Sequence, residues 1–475
     1  MIQKEKNEQQ SAESLKDKKT GNDLGTGSVG KLLLKLAAPA ILAQVVNMLY
    51  NIVDRMYIGH IPEIGVSALT GVGLCFPIII LITAFSSLIG MGGAPRAAIF
   101  MGKREKEKAE EILGNCVTAL VVIAILLTIV FLVFGRPLLI LFGASENTIG
   151  YALDYMQIYV CGTIFVQMAL GLNSFITTQG FSLISMLTVA IGAVTNIVLD
   201  PILIFGFQMG VQGAALATII SQAVSSVWVL RFLTGKKTKL RIQKKYLRVR
   251  AGILLPVLGL GVSPFVMQST ESLLNICLNA SLSRYGGDLA VGAMTIMSSV
   301  MQICTLPLQG LTQGAQPIIS FNFGAGKVDR IKKAFRLAIT AGLTYTTAFW
   351  ILLMVIPQVF VMIFNSSSTE LMDFTVWSMR IYMAGLFALG AQITCQQTFL
   401  ALGQAKVSLI LACLRKLILL IPLILVLPLF MEDKVFGVFV AEPIADILAS
   451  LTTVIVFSRI FPKLLRGVHP GKDEK

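Results

Sequence analysis

The sequence predicts an all-α polytopic membrane protein with twelve transmembrane helices in two pseudo-symmetric six-helix bundles. Three observations predict it. Of the 475 residues, 55% are hydrophobic and 13% charged, where soluble domains carry about 25% charged residues. Apolar runs such as VTALVVIAILLTIVFLVF (117–134) and LILLIPLILVLPLF (417–430) recur along the chain, and about 20 apolar residues cross a bilayer core as helix. The second half repeats the first. No regular alternation suggests a transmembrane barrel.

Taken in order, the spans are expected at about 32–55, 66–94, 112–134, 153–178, 183–205, 211–233, 252–281, 289–318, 335–358, 378–402, 405–430 and 436–460. Residues 1–30 read as a polar, solvated tail rather than a signal peptide, because no apolar core or small-residue cleavage site occurs there. Residues 31–233 form one lobe, 234–250 a basic linker, 251–461 the other lobe, and 462–475 a second tail.

The net charge of +14 follows topology rather than nucleic-acid binding. Lys and Arg cluster after span 2 (Arg96, Lys103, Arg104, Lys106, Lys108), after span 6 (Arg231 to Arg250) and after span 8 (Lys327, Arg330, Lys332, Lys333, Arg336). The intervening connections hold single bases, at Arg55, Arg136, Arg284 and Lys434. The positive-inside rule then places both termini in the cytoplasm. The basic balance also attracts anionic lipid.

The linker splits the spans six and six. AAPAILAQVVNMLYNIVD (37–54) matches GVSPFVMQSTESLLNICLN (261–279), with Pro39 on Pro264 and Asp54 on Asn279. In GGAPRAAIFMGKREKEKAEEI (92–112) and GAQPIISFNFGAGKVDRIKKAF (314–335), a glycine (102, 324) lies seven positions after a proline. IYVCGTIFVQMALGLNSFITTQG (158–180) meets IYMAGLFALGAQITCQQTFLALG (381–403) without a gap. Six is even, so the repeats are parallel and related by an axis along the membrane normal, an arrangement used for alternating access.

Polar residues inside spans usually face the protein interior. In span 1, Gln44, Asn47, Asn51 and Asp54 recur at helical spacing with Tyr50 beside them. Span 7 repeats the device with Gln268, Glu271, Ser272, Asn275 and Asn279. Span 5 carries Asn196 and Asp200 at i and i+4. Span 4 adds Tyr155 and Asn173, and span 6 adds Thr218. Amides and hydroxyls also glue helices together, but carboxylates serve that purpose poorly. Asp54 and Asp200 with nearby amides form an oxygen cluster suited to a hard cation or a shared proton. Pro201 lacks a backbone donor, so span 5 is expected to bend beside Asp200.

Span 12 carries Glu442 and Asp446, which fall on Ala215 and Ile219 in the first half. Arg415 lies about 15 Å deep in span 11, counting from its cytoplasmic start, at a depth similar to Asp446. A structural ion pair of Arg415 with Glu442 or Asp446 is the natural expectation. The seven cysteines sit singly in apolar segments and read as small buried hydrophobes. No metalloprotease, nucleophile-elbow or P-loop motif occurs, and His60 and His469 fall in loops. The chain is therefore not expected to be an enzyme, to use a cofactor or to hydrolyse ATP.

With these residues in view, the chain resembles the multidrug and toxic compound extrusion (MATE) transporters over about 30–460, most nearly the MepA-type branch. The resemblance rests on the duplication, on VDRMYIGH (53–60), GMGGAPRAAIFMGK (90–103) and GAQPIISFNFGAGK (314–327). NIVLDPILIFG (196–206) followed by GVQGAALAT (210–218) is its most specific part. It implies a V-shaped cavity between the lobes and an efflux antiporter of the bacterial cell membrane. Such a transporter exports lipophilic organic cations against protons or sodium ions, and is expected here as a monomer. It maps a cation-coupling site onto Asp54, Asn173, Asn196, Asp200 and Thr218, where sodium at Asp54 and Asp200 is the alternative to a proton. Substrate contacts are expected from Tyr50, Tyr155, Asn47, Glu271, Gln268 and Asn275. A span-10 acid of some sodium-coupled members would fall near Ala391 or Gln392 and is missing here, which tilts the expectation toward protons. A related flippase of lipid-linked saccharides would need a basic lumen, and a channel would not need two bundles with acidic stripes.

Overall fold

The computed structural model describes residues 23–62, 64–142, 144–363 and 369–467. The tails 1–22 and 468–475, with His469, lie outside the described residues. Among the described residues every long element is a helix. The first lobe comprises α1 (Val29–Gly59), α2 (Gly65–Leu74), α3 (Phe76–Gly102), α4 (Lys106–Leu141), α5 (Ile149–Cys161), α6 (Thr163–Thr178), α7 (Ser182–Gly206) and α8 (Gly210–Thr234). The second comprises α9 (Ala251–Gly287), α10 (Leu289–Gly324), α11 (Val328–Val355), α12 (Pro357–Met362), α13 (Thr369–Tyr382), α14 (Leu386–Ala401), α15 (Ala405–Phe430) and α16 (Lys434–Arg466). Among the described residues ten helices are long and apolar enough to cross a membrane, and two bent pairs, each counted as one span, bring the spans to twelve.

The bends repeat between lobes. α5 and α6 meet at 57°, and α13 and α14 at 48°. The breaks fall at Gly162 and Gly385, which the ungapped match of 158–180 to 381–403 sets on each other. A Cβ on Gly162 would strike Ile219, and one on Gly385 would touch Pro443 and Asp446. Ile219 and Asp446 are themselves equivalent, so Asp446 occupies the place of an apolar side chain in the other lobe. α9 and α10 run on almost continuously, separated by Gly287 at φ +62°, a left-handed conformation glycine adopts without steric cost.

The lobes meet at the end that carries the basic connections. There α3 and α10 cross, and α9 and α1 pack beside them. A Cβ on Gly92 would strike the α9 backbone at Val257, and one on Gly314 would lie 2.5 Å from Cα of Ala37 on α1. One hydrophobic cluster spans both lobes here, joining Leu32, Leu33 and Leu36 of α1 to Ile318, Ile319, Phe399 and Phe457. At the far end the cores are separate. Ile78, Leu139, Val160 and Ala214 belong to one cluster, and Leu278, Val300, Leu420 and Phe439 to another. Outside, α4 exposes Val122, Ile125, Leu126, Ile129 and Val133 on one face, the stripe a lipid-facing helix presents.

Two polar segments at the basic end are tied down. In the linker, Gln179 Oε1 accepts from Thr238 Oγ1, Lys239 N and Leu240 N, each at 2.8 Å. The buried Glu110 accepts from Arg241 N at 3.1 Å and from Gln243 Nε2, and Arg250 N donates to Asn115 Oδ1 at 2.7 Å. The linker is thus docked on the first lobe. Ahead of α1, Arg330 donates to the carbonyls of Leu24, Thr26 and Gly27 at 3.1, 2.9 and 2.7 Å. Asn322 also donates to Leu24 O, and Lys327 to Gly25 O.

Several expectations need correction. Residues 23–30 are not a solvated tail: Leu24 and Val29 are 1% and 3% exposed, because they cover apolar surface of the second lobe. Helix α16 continues to Arg466, past the expected end of its span, since Phe461 and Leu465 still pack in the core. Arg96 lies inside α3 rather than in the following loop. Four cysteines are buried, but Cys161 is exposed and Cys277 and Cys413 are half-buried.

Candidate ion-coupling site

In the first lobe, helical spacing brings the expected polar residues of four helices together. Asp54 projects from α1, Tyr155 from α5, Asn196 and Asp200 from α7, and Thr218 from α8. Asn196 Nδ2 donates to Asp200 Oδ1 at 3.2 Å and reaches Thr218 Oγ1 at 3.5 Å. Thr218 Oγ1 in turn donates to Ala214 O at 3.0 Å. The Asp54 and Asp200 carboxyls face each other within hydrogen-bonding reach, and the Tyr50 and Tyr155 hydroxyls lie beside Thr218. Tyr155 also stacks on Tyr159, with ring centroids 6.0 Å apart. Asp200 and Asn196 are fully buried and Asp54 is 9% exposed.

Three oxygens in this cluster have no hydrogen-bond partner: Asp54 Oδ1, Asp200 Oδ2 and Asn196 Oδ1. Buried polar atoms are nearly always paired, and two facing carboxylates repel in low dielectric. A proton shared between Asp54 and Asp200 would relieve that repulsion, and a sodium ion would find three oxygens from two helices. The bend at Pro201 takes the form of a wide π turn over Ile202–Gly206, a feature frequent at functional sites.

Asn173 is not part of this cluster. Its amide donates to Ser185 O at 3.3 Å, and Ser185 lies 15 residues before Asp200, about 22 Å along α7. Asn173 instead ties α6 to the start of α7, beside the Thr177–Ser185 hydroxyl pair at 2.8 Å.

The residues expected to contact substrate divide in two. Gln268 Nε2 donates to Ser87 Oγ at 2.8 Å, between the lobes. Phe85 and Phe265 pack edge to face next to it, with centroids 4.9 Å apart. Asn47, Glu271 and Asn275 lie further toward the far end and are exposed. Tyr50 and Tyr155 belong to the carboxylate cluster, as above.

The second lobe holds charges of both signs. Arg415 Nε donates to Asp446 Oδ1 at 2.7 Å and Nη2 to Glu442 Oε1 at 3.2 Å. Lys416 pairs with Glu271 and donates to Met267 O at 2.9 Å. The two bases lie in a π turn, Leu414–Leu420, and as consecutive residues face different helices: Arg415 faces α16 and Lys416 faces α9. The Lys416–Glu271 pair escaped the sequence reading. Counting residues from the basic end puts Glu271 well above Lys416, and a long, flexible lysine stem spans the difference.

Comparison with known proteins supports the duplication. The family model described as MatE matches twice, over residues 39–202 and 264–426. The two matches begin at Pro39 and Pro264, the prolines that the internal repeat superimposes. The chain belongs to the MatE family. Among similar proteins, the multidrug export protein MepA of Staphylococcus haemolyticus is 24% identical over 91% of this chain and 95% of its own length. MepA of Staphylococcus aureus is 22% identical over the same shares. A solved structure described as the outward-facing conformation of a multidrug resistance MATE family transporter of the MOP superfamily shares the fold. It superposes with TM-score 0.87 at 22% identity, covering 94% of this chain and 99% of that one.

Proposed function

We propose that this MatE-family protein is a secondary active multidrug efflux antiporter that exports lipophilic organic cations in exchange for protons. The observation that carries this reading is the Asp54–Asp200 pair, two buried carboxyls face to face, each with an unpaired oxygen, and a third unpaired oxygen on Asn196. Such a group binds one positive charge well and is costly to leave empty. A proton is preferred to sodium because few oxygens converge there, whereas hard metal ions gather six or more. Lipophilic cations suit the aromatic rings near Gln268, while Glu271 is already paired with Lys416. An aromatic face adds about 0.5–2 kcal/mol to a bound cation. The multidrug export function named for the staphylococcal relatives agrees with a drug-exporting role.

The protein would sit as a monomer in a bacterial cell membrane, with its basic end and both termini in the cytoplasm. The lobes, closed at the basic end and separate at the far end, would then be outward-facing. Asp54, Asn196, Asp200 and Thr218 couple the ion, and Arg415, Glu442 and Asp446 form a charged network that supports the second lobe. A saccharide flippase is disfavoured, because both lumenal bases are engaged by acids. The test is efflux of ethidium from proteoliposomes under an imposed pH gradient or sodium gradient, applied separately. Ethidium movement driven by the pH gradient alone is expected, and movement under neither gradient would sink the proposal.

A further inference from the structure

The second lobe brings three acids and two bases into one group, buried except for Glu271, and their charges do not cancel. Lys416 is taken by Glu271. Arg415 stands between Glu442 and Asp446, bonded to one oxygen of each. One negative charge is therefore left over inside the lobe. Glu442 is 3% exposed, and its second oxygen, Oε2, has no hydrogen-bond partner. Among the described residues the surroundings supply no other base. Tyr382, 5% exposed, faces the acids from α13 and is packed against Phe439 of α16, with centroids 6.3 Å apart. Among the described residues the remaining charged groups around it are the five already named. Asp446 stands where the first lobe has Ile219, so this group is an addition to the second lobe and not a relic of the duplication.

A buried charge without a partner costs several kcal/mol, and gaining a proton removes it. A metal ion would need several converging oxygens, and among the described residues Glu442 Oε2 is the one fully buried oxygen of this group left without a partner. From these contacts we infer that Glu442 is a proton-binding site of the second lobe, separate from the Asp54–Asp200 pair. It builds on the efflux reading by giving the second lobe an exchangeable proton of its own. The proton enters as an O–H bond on Oε2. Arg415 keeps its bond to Oε1, and Asp446 keeps the full positive charge of Arg415. On release, Arg415 must serve two carboxylates at once. Below Lys416, Ser263, Met267, Gln396 and Ser408 line a cavity of about 10 Å³, room for one water on the side toward the basic end.

The test uses the full-length protein in lipid nanodiscs, carrying Asp54→Asn and Asp200→Asn so that the first-lobe pair cannot titrate. Infrared difference spectra between mildly acidic and mildly alkaline pH should show a carboxylic-acid carbonyl band that disappears on deprotonation. Adding Glu442→Gln, which preserves a carbonyl for Arg415, should abolish that band. If this variant does not fold, Asp446→Asn replaces it. Arg415 then balances Glu442 alone, and the band should again be lost. No band in the Asp54→Asn/Asp200→Asn protein, or a band that persists with either further substitution, overturns the inference. So does a band displaced by sodium at constant pH, which would assign the site to the metal ion. Because this readout does not use transport, failure of ethidium efflux in the unsubstituted protein would refute the efflux reading while leaving the band in place.

Discussion

Gly102 and Gly324 stand against each other's helices in reciprocal contact: a Cβ on Gly102 would strike the carbonyl of Phe321, and one on Gly324 the carbonyl of Ile99. Each glycine lies seven residues after its proline, and each struck carbonyl lies four residues after the corresponding proline. The contact therefore marks the pseudo-two-fold axis, where α3 and α10 cross at the basic end. A helix crossing this close needs residues without a side chain on both helices.

This crossing should set the balance between states closed and open at the basic end. Gly324→Ala places a methyl against backbone that cannot rotate away. Overpacking of this kind costs about 1–3 kcal/mol, which at 1.4 kcal/mol per tenfold shifts the balance toward opening by roughly 5- to 150-fold. Labelling of single cysteines placed at Ile99 or Phe321 by a water-soluble maleimide should accelerate from the cytoplasmic side. Unchanged labelling would show that the crossing does not move during transport.

Arg330 clasps the segment before α1 to the second lobe through three carbonyls, and Asn322 and Lys327 add a bond each. Hydrogen bonds from a charged donor contribute about 1.5–3 kcal/mol each when buried, and less here because Arg330 is partly solvated. Arg330→Ala should raise amide hydrogen exchange at residues 24–28 at least tenfold while leaving α16 protected. Equal protection in the variant would assign the hold on this segment to the apolar packing of Leu24 and Val29 instead.

Much of this architecture could be read in the sequence, because membrane spans are set by length and hydropathy, and α7 shows why the site was partly legible. Asn196 and Asp200 are one helical turn apart, so their adjacency follows from spacing alone. Asn173 misled because helix membership does not fix depth: α6 bends at Gly162 and carries a π turn at Gln167–Gly171, and spacing on one helix says nothing of its height beside another. The docking of Arg330 and Gln179 was not legible either. Both bind backbone carbonyls or amides, and those carry no residue signature.

The Arg415 network should be structurally indispensable to its lobe. Removing one partner of a buried ion pair costs about 3–5 kcal/mol, because the other charge is left without compensation. Arg415→Met leaves Glu442 and Asp446 facing each other, and should lower thermal stability clearly in detergent. Replacing all three with apolar residues of similar size should restore much of the loss, since the pair itself adds little net stability. A single variant as stable as the original protein would show that the acids are already neutral without Arg415.

Asp200 offers the sharpest test of the proposed coupling site. Asp200→Asn keeps the shape of the side chain and a carbonyl to accept from Asn196 Nδ2, now at 3.2 Å, but it removes the charge. A neutral amide is less costly than a carboxylate in this fully buried position, so the variant should fold and insert normally. The energy of an inward proton reaches the transporter only if occupancy favours one state over the other, and a membrane potential supplies about 2.3 kcal/mol per charge per 100 mV. With no first-lobe carboxylate pair to load, the share of that differential carried by this pair disappears. Gradient-driven ethidium efflux should fall at least a hundredfold, to the rate of passive exchange, while ethidium binding at equilibrium is retained. Asp200→Glu, which restores the charge one methylene further out, should recover part of the gradient-driven rate. If Asp200→Asn instead exports ethidium at the normal rate with the normal pH dependence, Asp200 serves only to hold α7 against α1, and the ion must load elsewhere.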